Sequence, residues 1–178
     1  ELIRVRGLVQ GVGFRPTVWR LARDFALVGD VLNDGEGVLI RVQPSPAAGG
    51  DAIDAFCTAL RAECPPLARI DAIERTPLGA LLAAETFSIA ASDASAVRTG
   101  IVADAATCPV CAAEIADPAN RRHRYPFTNC THCGPRLSIV KGIPYDRTRT
   151  SMAVFPLCAR CQAEYLDPAD RRFHAQPN

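Results

Sequence analysis

Arg6-Gly7-Leu8-Val9-Gln10-Gly11-Val12-Gly13-Phe14-Arg15-Pro16 decides how the first half of the chain is read. It joins a strand pattern to a helix pattern. Upstream, Ile3 and Val5 alternate with Arg4 and Arg6, as on a half-buried strand. Downstream, Val18, Leu21, Ala22 and Phe25 fall at i, i+3, i+4 and i+7, one helical stripe, and Pro16 suits the first turn of that helix. A glycine-rich turn in this place has two readings. Its glycines relieve strain between the two elements, or they let the backbone approach an anion with N–H groups turned inward. Gly11, Gly13 and Arg15 together favour the second reading. The helix presents its positive end to the same point, and Arg15 supplies a permanently charged planar fork for phosphate oxygens.

Further along, Val31-Leu32 and Val38–Val42 flank Asn33-Asp34-Gly35-Glu36-Gly37, a hairpin signal. Ile53, Phe56, Cys57 and Leu60 form a second helical stripe with Asp51 as its expected N-cap. Ala68–Thr76 and Thr86–Ala90 read as later strands. The order βαββαβ, with a short extra strand, predicts an α+β fold of the ferredoxin-like sandwich type over residues 1–91. Residues 92–106 are rich in Ala, Ser, Asp and Thr without periodicity and are read as a linker. Residues 107–178 form a small cysteine-rich module.

The stretch Gly7–Arg15 resembles the signature of the acylphosphatase family, and Asn33 lies 18 residues after Arg15, as in that family. The resemblance covers residues 2–90 and implies an acylphosphatase domain. It implies that Arg15 and the backbone of Gln10, Gly11, Val12, Gly13 and Phe14 bind the phosphoryl group. It also implies that Asn33 positions the attacking water; on its own, Asn33 would be an ordinary turn residue.

Eight cysteines divide unevenly. Cys57 reads as a small core residue and Cys64 as an ordinary thiol at a helix end. The others come as three Cys-x-x-Cys pairs, Cys108/Cys111, Cys130/Cys133 and Cys158/Cys161. Cys111 and Cys130 are separated by 18 residues, so the first two pairs can give four thiolates to one tetrahedral zinc. With no open coordination position, such a zinc is structural. A repeat of period 50 runs through the module: Cys111-Ala-Ala-Glu114-Ile-Ala-Asp117-Pro118-Ala-Asn-Arg121-Arg122 matches Cys161-Gln-Ala-Glu164-Tyr-Leu-Asp167-Pro168-Ala-Asp-Arg171-Arg172. It predicts two copies of one zinc unit. The second holds only Cys158 and Cys161, because the matching partner pair would begin at position 180; that site is expected to be incomplete, empty or weakly occupied. His174 is a possible substitute ligand, although it fits better as part of its own motif. His132 and His123 are read as bystanders.

Tyr125–Arg136, Pro144–Arg147 and Asp167–Pro177 resemble the paired zinc fingers of HypF, the carbamoyltransferase family of hydrogenase maturation. Acylphosphatase motif, linker and fingers in this order cover almost the whole chain. The resemblance implies an enzyme that uses carbamoyl phosphate and ATP and passes a carbamoyl group to a HypE-type maturation protein, for the cyanide ligands of a nickel–iron centre. It implies that ATP and Mg2+ act only in downstream domains. This chain would then hydrolyse the acyl phosphate without completing the transfer.

Two rivals stand beside that reading: a free-standing general acylphosphatase with structural zinc, and a zinc-ribbon module binding nucleic acid. Residues 104–178 carry ten Lys/Arg against seven Asp/Glu, only mildly basic, and Asp117, Asp146, Asp167 and Asp170 interleave with the arginines, which argues against a nucleic-acid partner. The 178 residues are 48% apolar with a formal net charge of +1, the balance of a globular chain. No run reaches the roughly 18 apolar residues of a membrane helix. The start at Glu1-Leu2-Ile3-Arg4 has no secretory pattern, and paired thiols suit a reducing cytoplasm. That start and the abrupt end at Asn178 suggest a piece of a longer protein.

Overall fold

The computed structural model describes residues 1–91, 103–142 and 145–178. The chain divides into two compact units, Glu1–Gly100 and Ile101–Asn178. Most of the linker expected at 92–106 falls on residues 92–102, outside the described ones.

The first unit runs β1 (Leu2–Leu8), α1 (Phe14–Asp24), β2 (Leu27–Asp34), β3 (Gly37–Pro44), α2 (Ala52–Ala62), β4 (Arg69–Thr76) and β5 (Phe87–Ile89). The strands form one sheet in the order β4-β1-β3-β2-β5. β3 is antiparallel to both β1 and β2, so β1 and β2 are parallel and end on the same edge of the sheet. That arrangement brings the glycine-rich loop after β1 and the hairpin after β2 to one side. The short β5 pairs in parallel with β2.

One face of the sheet is apolar because the strands alternate. Ile3 and Val5, Val31, and Val38, Ile40 and Val42 are buried together with Val18, Leu21 and Ala22 of α1 and Phe56 and Leu60 of α2. Each of these valine, leucine, isoleucine and phenylalanine side chains contributes about 2 kcal/mol through removal from water. One position departs from the sequence reading, and one expected cap forms without its hydrogen bond. Phe25 is the C-cap of α1 and is half-buried, since the helix ends at Asp24 and Ala26 turns the chain with φ 52°. Asp51 stands at the N-cap of α2, but its side chain makes no capping hydrogen bond.

The second unit holds two eight-residue helices, α3 (Pro109–Ala116) and α4 (Ala159–Leu166), with short 3₁₀ turns at Leu137–Ile139, Arg147–Arg149 and Ser151–Val154. Cys108 and Cys158 are the N-caps of α3 and α4. The repeat is visible in the backbone. Arg124 and His174, 50 positions apart, both have positive φ (57° and 50°), and their N–H groups donate to Ile115 and Tyr165 respectively. Asp117 and Asp167 each accept at Oδ1 the N–H two residues on, at 2.9 Å.

Candidate functional site

Two glycines shape the loop between β1 and α1. Gly11 and Gly13 sit in the left-handed region at φ 73° and 77°, where a side chain is strained. Val9, Val12 and Phe14 anchor the loop in the core, each 1% exposed or less. Their side chains are apolar and buried, so the polar groups these residues could offer a ligand are those of the backbone. Gly13 caps α1 with no side-chain hydrogen bond to the first turn. Arg15 is the second residue of α1, half-buried.

Gln10 has a different task from its neighbours. Its side-chain amide donates to the carbonyls of Asp34 and Gly37, both at 2.8 Å. It therefore ties the loop to the hairpin that carries Asn33. Sequence pattern alone places Gln10 only within the loop. Asn33 pairs with Val38 across β2 and β3, and Val38 pairs with Val5 of β1, so the three lie in one line across the sheet. Asn33 is 6% exposed, and its Oδ1 is buried with no hydrogen-bond partner among the described residues. A buried acceptor left bare costs about 1–3 kcal/mol, which a bound water would offset. The site thus combines a loop able to take an oxyanion, a guanidinium two residues from the last glycine, and a bare carboxamide oxygen on the same sheet edge.

In the second unit, Cys108, Cys111, Cys130 and Cys133 place their sulfurs within 4.8 Å of one another. Cys108 and Cys130 are 3.7 Å apart and Cys130 and Cys133 3.9 Å. A tetrahedron of thiolates around zinc has edges of about 3.8 Å, so the set fits that metal. Cys108 brings the first pair in at the start of α3, and Gly134, at φ 71°, turns the chain directly after the second. The charges fit as well. Burial opposes the Cys108 thiolate, but hydrogen bonds from the Cys111 backbone and the neighbouring thiols pull it down to about 6. Burial, with the charges of Cys130 and Cys133, pushes Cys111 up; burial also raises Cys130. Four thiolates cannot share this space without a cation.

Cys158 and Cys161 have no such company: among the described residues the four-cysteine group is the only cluster of metal-ligating side chains. His174 is stacked on Tyr165 and Phe173, with ring centroids 4.9 and 4.1 Å away. Cys57 and Cys64 are free and half-buried.

Comparison with known proteins matches both units. The acylphosphatase family model matches residues 2–89, and the HypF finger model matches residues 107–140 and 157–178. A carbamoyltransferase HypF from Rhodobacter capsulatus is 60% identical over 175 residues, 98% of this chain and 23% of that protein. The chain belongs to the HypF family. A solved full-length HypF in a phosphate- and nucleotide-bound form superposes with a TM-score of 0.86 at 43% identity, covering 99% of this chain and 23% of that one. An acylphosphatase from Latilactobacillus sakei subsp. sakei is 37% identical over 86 residues, 48% of this chain and 89% of that enzyme. The chain therefore spans about a quarter of the length of the HypF relatives it matches, and its first unit spans nearly a whole acylphosphatase. Among the described residues no helix is long and apolar enough to cross a membrane.

What sequence reasoning missed lies between the finger copies. Glu114 pairs with Arg171 at 2.8 Å and also with Arg172, and Glu164 pairs with Arg121 at 2.6 Å and also with Arg122. Each carboxylate thus takes both arginines of the other copy. The recurrence of Glu and Arg-Arg at period 50 was the available signal, but within one copy it looks like a local pair.

Proposed function

We propose that this chain is the acyl-phosphate-hydrolysing and zinc-binding part of a cytoplasmic hydrogenase-maturation carbamoyltransferase. The first unit hydrolyses carbamoyl phosphate. Carbamate so released feeds ATP- and Mg2+-dependent carbamoyl activation elsewhere in the full-length enzyme, and a HypE-type protein receives the group. The second unit holds one structural zinc on Cys108, Cys111, Cys130 and Cys133, and Cys158 and Cys161 belong to a second such site.

The observation that carries the hydrolase reading is the bare Oδ1 of Asn33, buried on the sheet edge shared with the glycine-rich loop. An acyl phosphate has a good leaving group, so positioning and charge stabilisation can do most of the catalysis. Arg15 and the backbone N–H groups of Gln10–Phe14 hold the equatorial phosphoryl oxygens. Asn33 accepts a hydrogen bond from water and turns a lone pair of that water toward phosphorus. The water oxygen bonds to phosphorus as the bond from phosphorus to the carbamoyl oxygen breaks. The bonding pair leaves with carbamate, and the water proton passes to the product phosphate or to solvent.

Six of the arginines that could serve a nucleic-acid partner are engaged inside the second unit. Arg121, Arg122, Arg171 and Arg172 face glutamates, Arg136 donates to the carbonyls of Ala105 and Cys133, and Arg147 donates to that of Phe155.

Asn33→Ala tests the assignment. Turnover of carbamoyl phosphate is expected to fall about 100-fold, since a misplaced water costs that much, while inhibition by inorganic phosphate stays unchanged. Parent-like turnover in steady-state hydrolysis would remove Asn33 from the mechanism. A marked preference for an acyl phosphate with a larger acyl group would instead favour a general acylphosphatase.

A further inference from the structure

The first finger site has a charge problem that its four ligands cannot solve. Four thiolates around a dication leave a net charge of −2, and Cys111 and Cys133 are 0% exposed and Cys130 1%. Buried charge without compensation is costly. The compensating group comes from the other copy: Arg171 directs Nη2 to the sulfur of Cys111 at 3.4 Å. The same guanidinium is held by Glu114, which stands one helical turn after Cys111 on α3. Arg172 takes the second oxygen of that carboxylate. The backbone adds a further link, since the N–H of Thr131, between the ligands Cys130 and Cys133, donates to the carbonyl of Arg171 at 2.8 Å.

The reverse arrangement is present at the other end. Arg121 directs Nη1 to the sulfur of Cys161 at 3.2 Å, and its other nitrogen is fixed by Glu164 at 2.6 Å. Arg122 backs the same carboxylate. An ordinary interface ion pair needs only Arg and Glu. Here both pairs place the guanidinium against a cysteine sulfur as well, in both directions.

We propose that the two finger copies cross-brace each other's metal thiolates: Arg171 is a positioning residue for the Cys111 ligand, and Arg121 for Cys161, each aimed by the glutamate of the copy it serves. This rests on the reading that the four-cysteine group holds zinc. Its consequence is that the metal affinity of the first site depends on a residue 38 positions beyond its last ligand, in a copy that gives it no ligand. The repeat thereby binds as a pair and not as two independent fingers.

The test uses the whole 178-residue chain. Zinc affinity of the first site is measured by competition with a chromophoric chelator, and cobalt(II) replaces zinc to read the thiolate-to-metal charge-transfer band. Arg171→Gln is expected to weaken zinc binding roughly 10–100-fold, the usual cost of losing a group that orients a ligand. It is also expected to shift the charge-transfer band, because the N–H···S bond draws electron density from Cys111. Arg160→Gln removes a charge from α4 without touching either site's brace, and parent affinity is expected there. Affinity within twofold of the parent for Arg171→Gln would overturn the brace. So would weaker binding with an unchanged cobalt band, which marks mere support of the fold. If Arg171→Gln does not fold with excess zinc, Glu114→Gln leaves guanidinium and thiolate in place and loosens their aim. Several-fold weaker binding supports the brace in that variant, and parent affinity overturns it. A parent chain that binds no zinc sinks the metal reading, and the brace falls with it; a parent that binds zinc while Arg171→Gln matches it sinks the brace alone.

Discussion

Arg15→Ala is expected to weaken binding of inorganic phosphate by the first unit roughly 100-fold while leaving that unit folded. The loss follows from what else the site offers. Backbone N–H groups around Gly11 and Gly13 carry partial charges, and the start of α1 adds the positive end of a short helix dipole. Only Arg15 brings a full positive charge within the signature loop and helix start. Removing one partner of a hydrogen-bonded charge pair costs about 3 kcal/mol, or roughly 100-fold in Kd. Folding is expected to survive because α1 is held by Phe14, Val18, Leu21 and Ala22 on its buried side, and alanine is a better helix former than arginine. Calorimetric titration with phosphate beside a thermal melt separates the two effects. Parent-like phosphate affinity with an unchanged Tm would show that the anion sits elsewhere.

Stripping the metal is expected to unfold the second unit and spare the first. The cysteine cluster is itself a core of the second unit: Cys111, Cys130 and Cys133 are fully buried and pack with Cys108. Its other buried apolar side chains are few, Ile139, Met152, Phe173 and Ala175 among the described residues. Helices of eight residues do not stand alone in water. Structural zinc in small fingers contributes about 10–16 kcal/mol of apparent binding free energy at neutral pH, far more than such a core. The aromatic residues make the outcome easy to read. Trp19, the single tryptophan, lies in the first unit, whereas the three tyrosines, Tyr125, Tyr145 and Tyr165, all lie in the second. A strong chelator is expected to change tyrosine emission and near-ultraviolet dichroism and to leave tryptophan emission as it was. Unchanged tyrosine signals after verified metal removal would mean that the second unit folds without its metal.

The first unit was legible in the sequence because its elements are strongly periodic. Ile3 and Val5 on β1, and Val18, Leu21 and Ala22 on α1, are buried as their spacing requires. The end of α1 was less legible, as Phe25 illustrates, because a cap depends on local geometry that composition does not fix. The four-cysteine cluster could be read from spacing, since two Cys-x-x-Cys pairs separated by 18 residues can close on one ion. The 3₁₀ turns between Leu137 and Val154 could not, having no repeat of apolar residues. Three contacts needed coordinates. Gln10 reaches across to Asp34 and Gly37, over 24 and 27 residues, and Arg171 reaches Cys111 over 60. Long-range side-chain contacts leave no local signature in a single sequence.

Titration of the isotopically labelled protein with inorganic phosphate, followed by amide nuclear magnetic resonance, probes the loop most directly. The largest shifts are expected at the backbone N–H groups of Gly11, Val12, Gly13, Phe14 and Arg15, with a smaller one at the side-chain amide of Asn33. Saturable binding that leaves those amides unmoved, or that moves a different set, would contradict the assignment of the β1–α1 loop as the phosphate site.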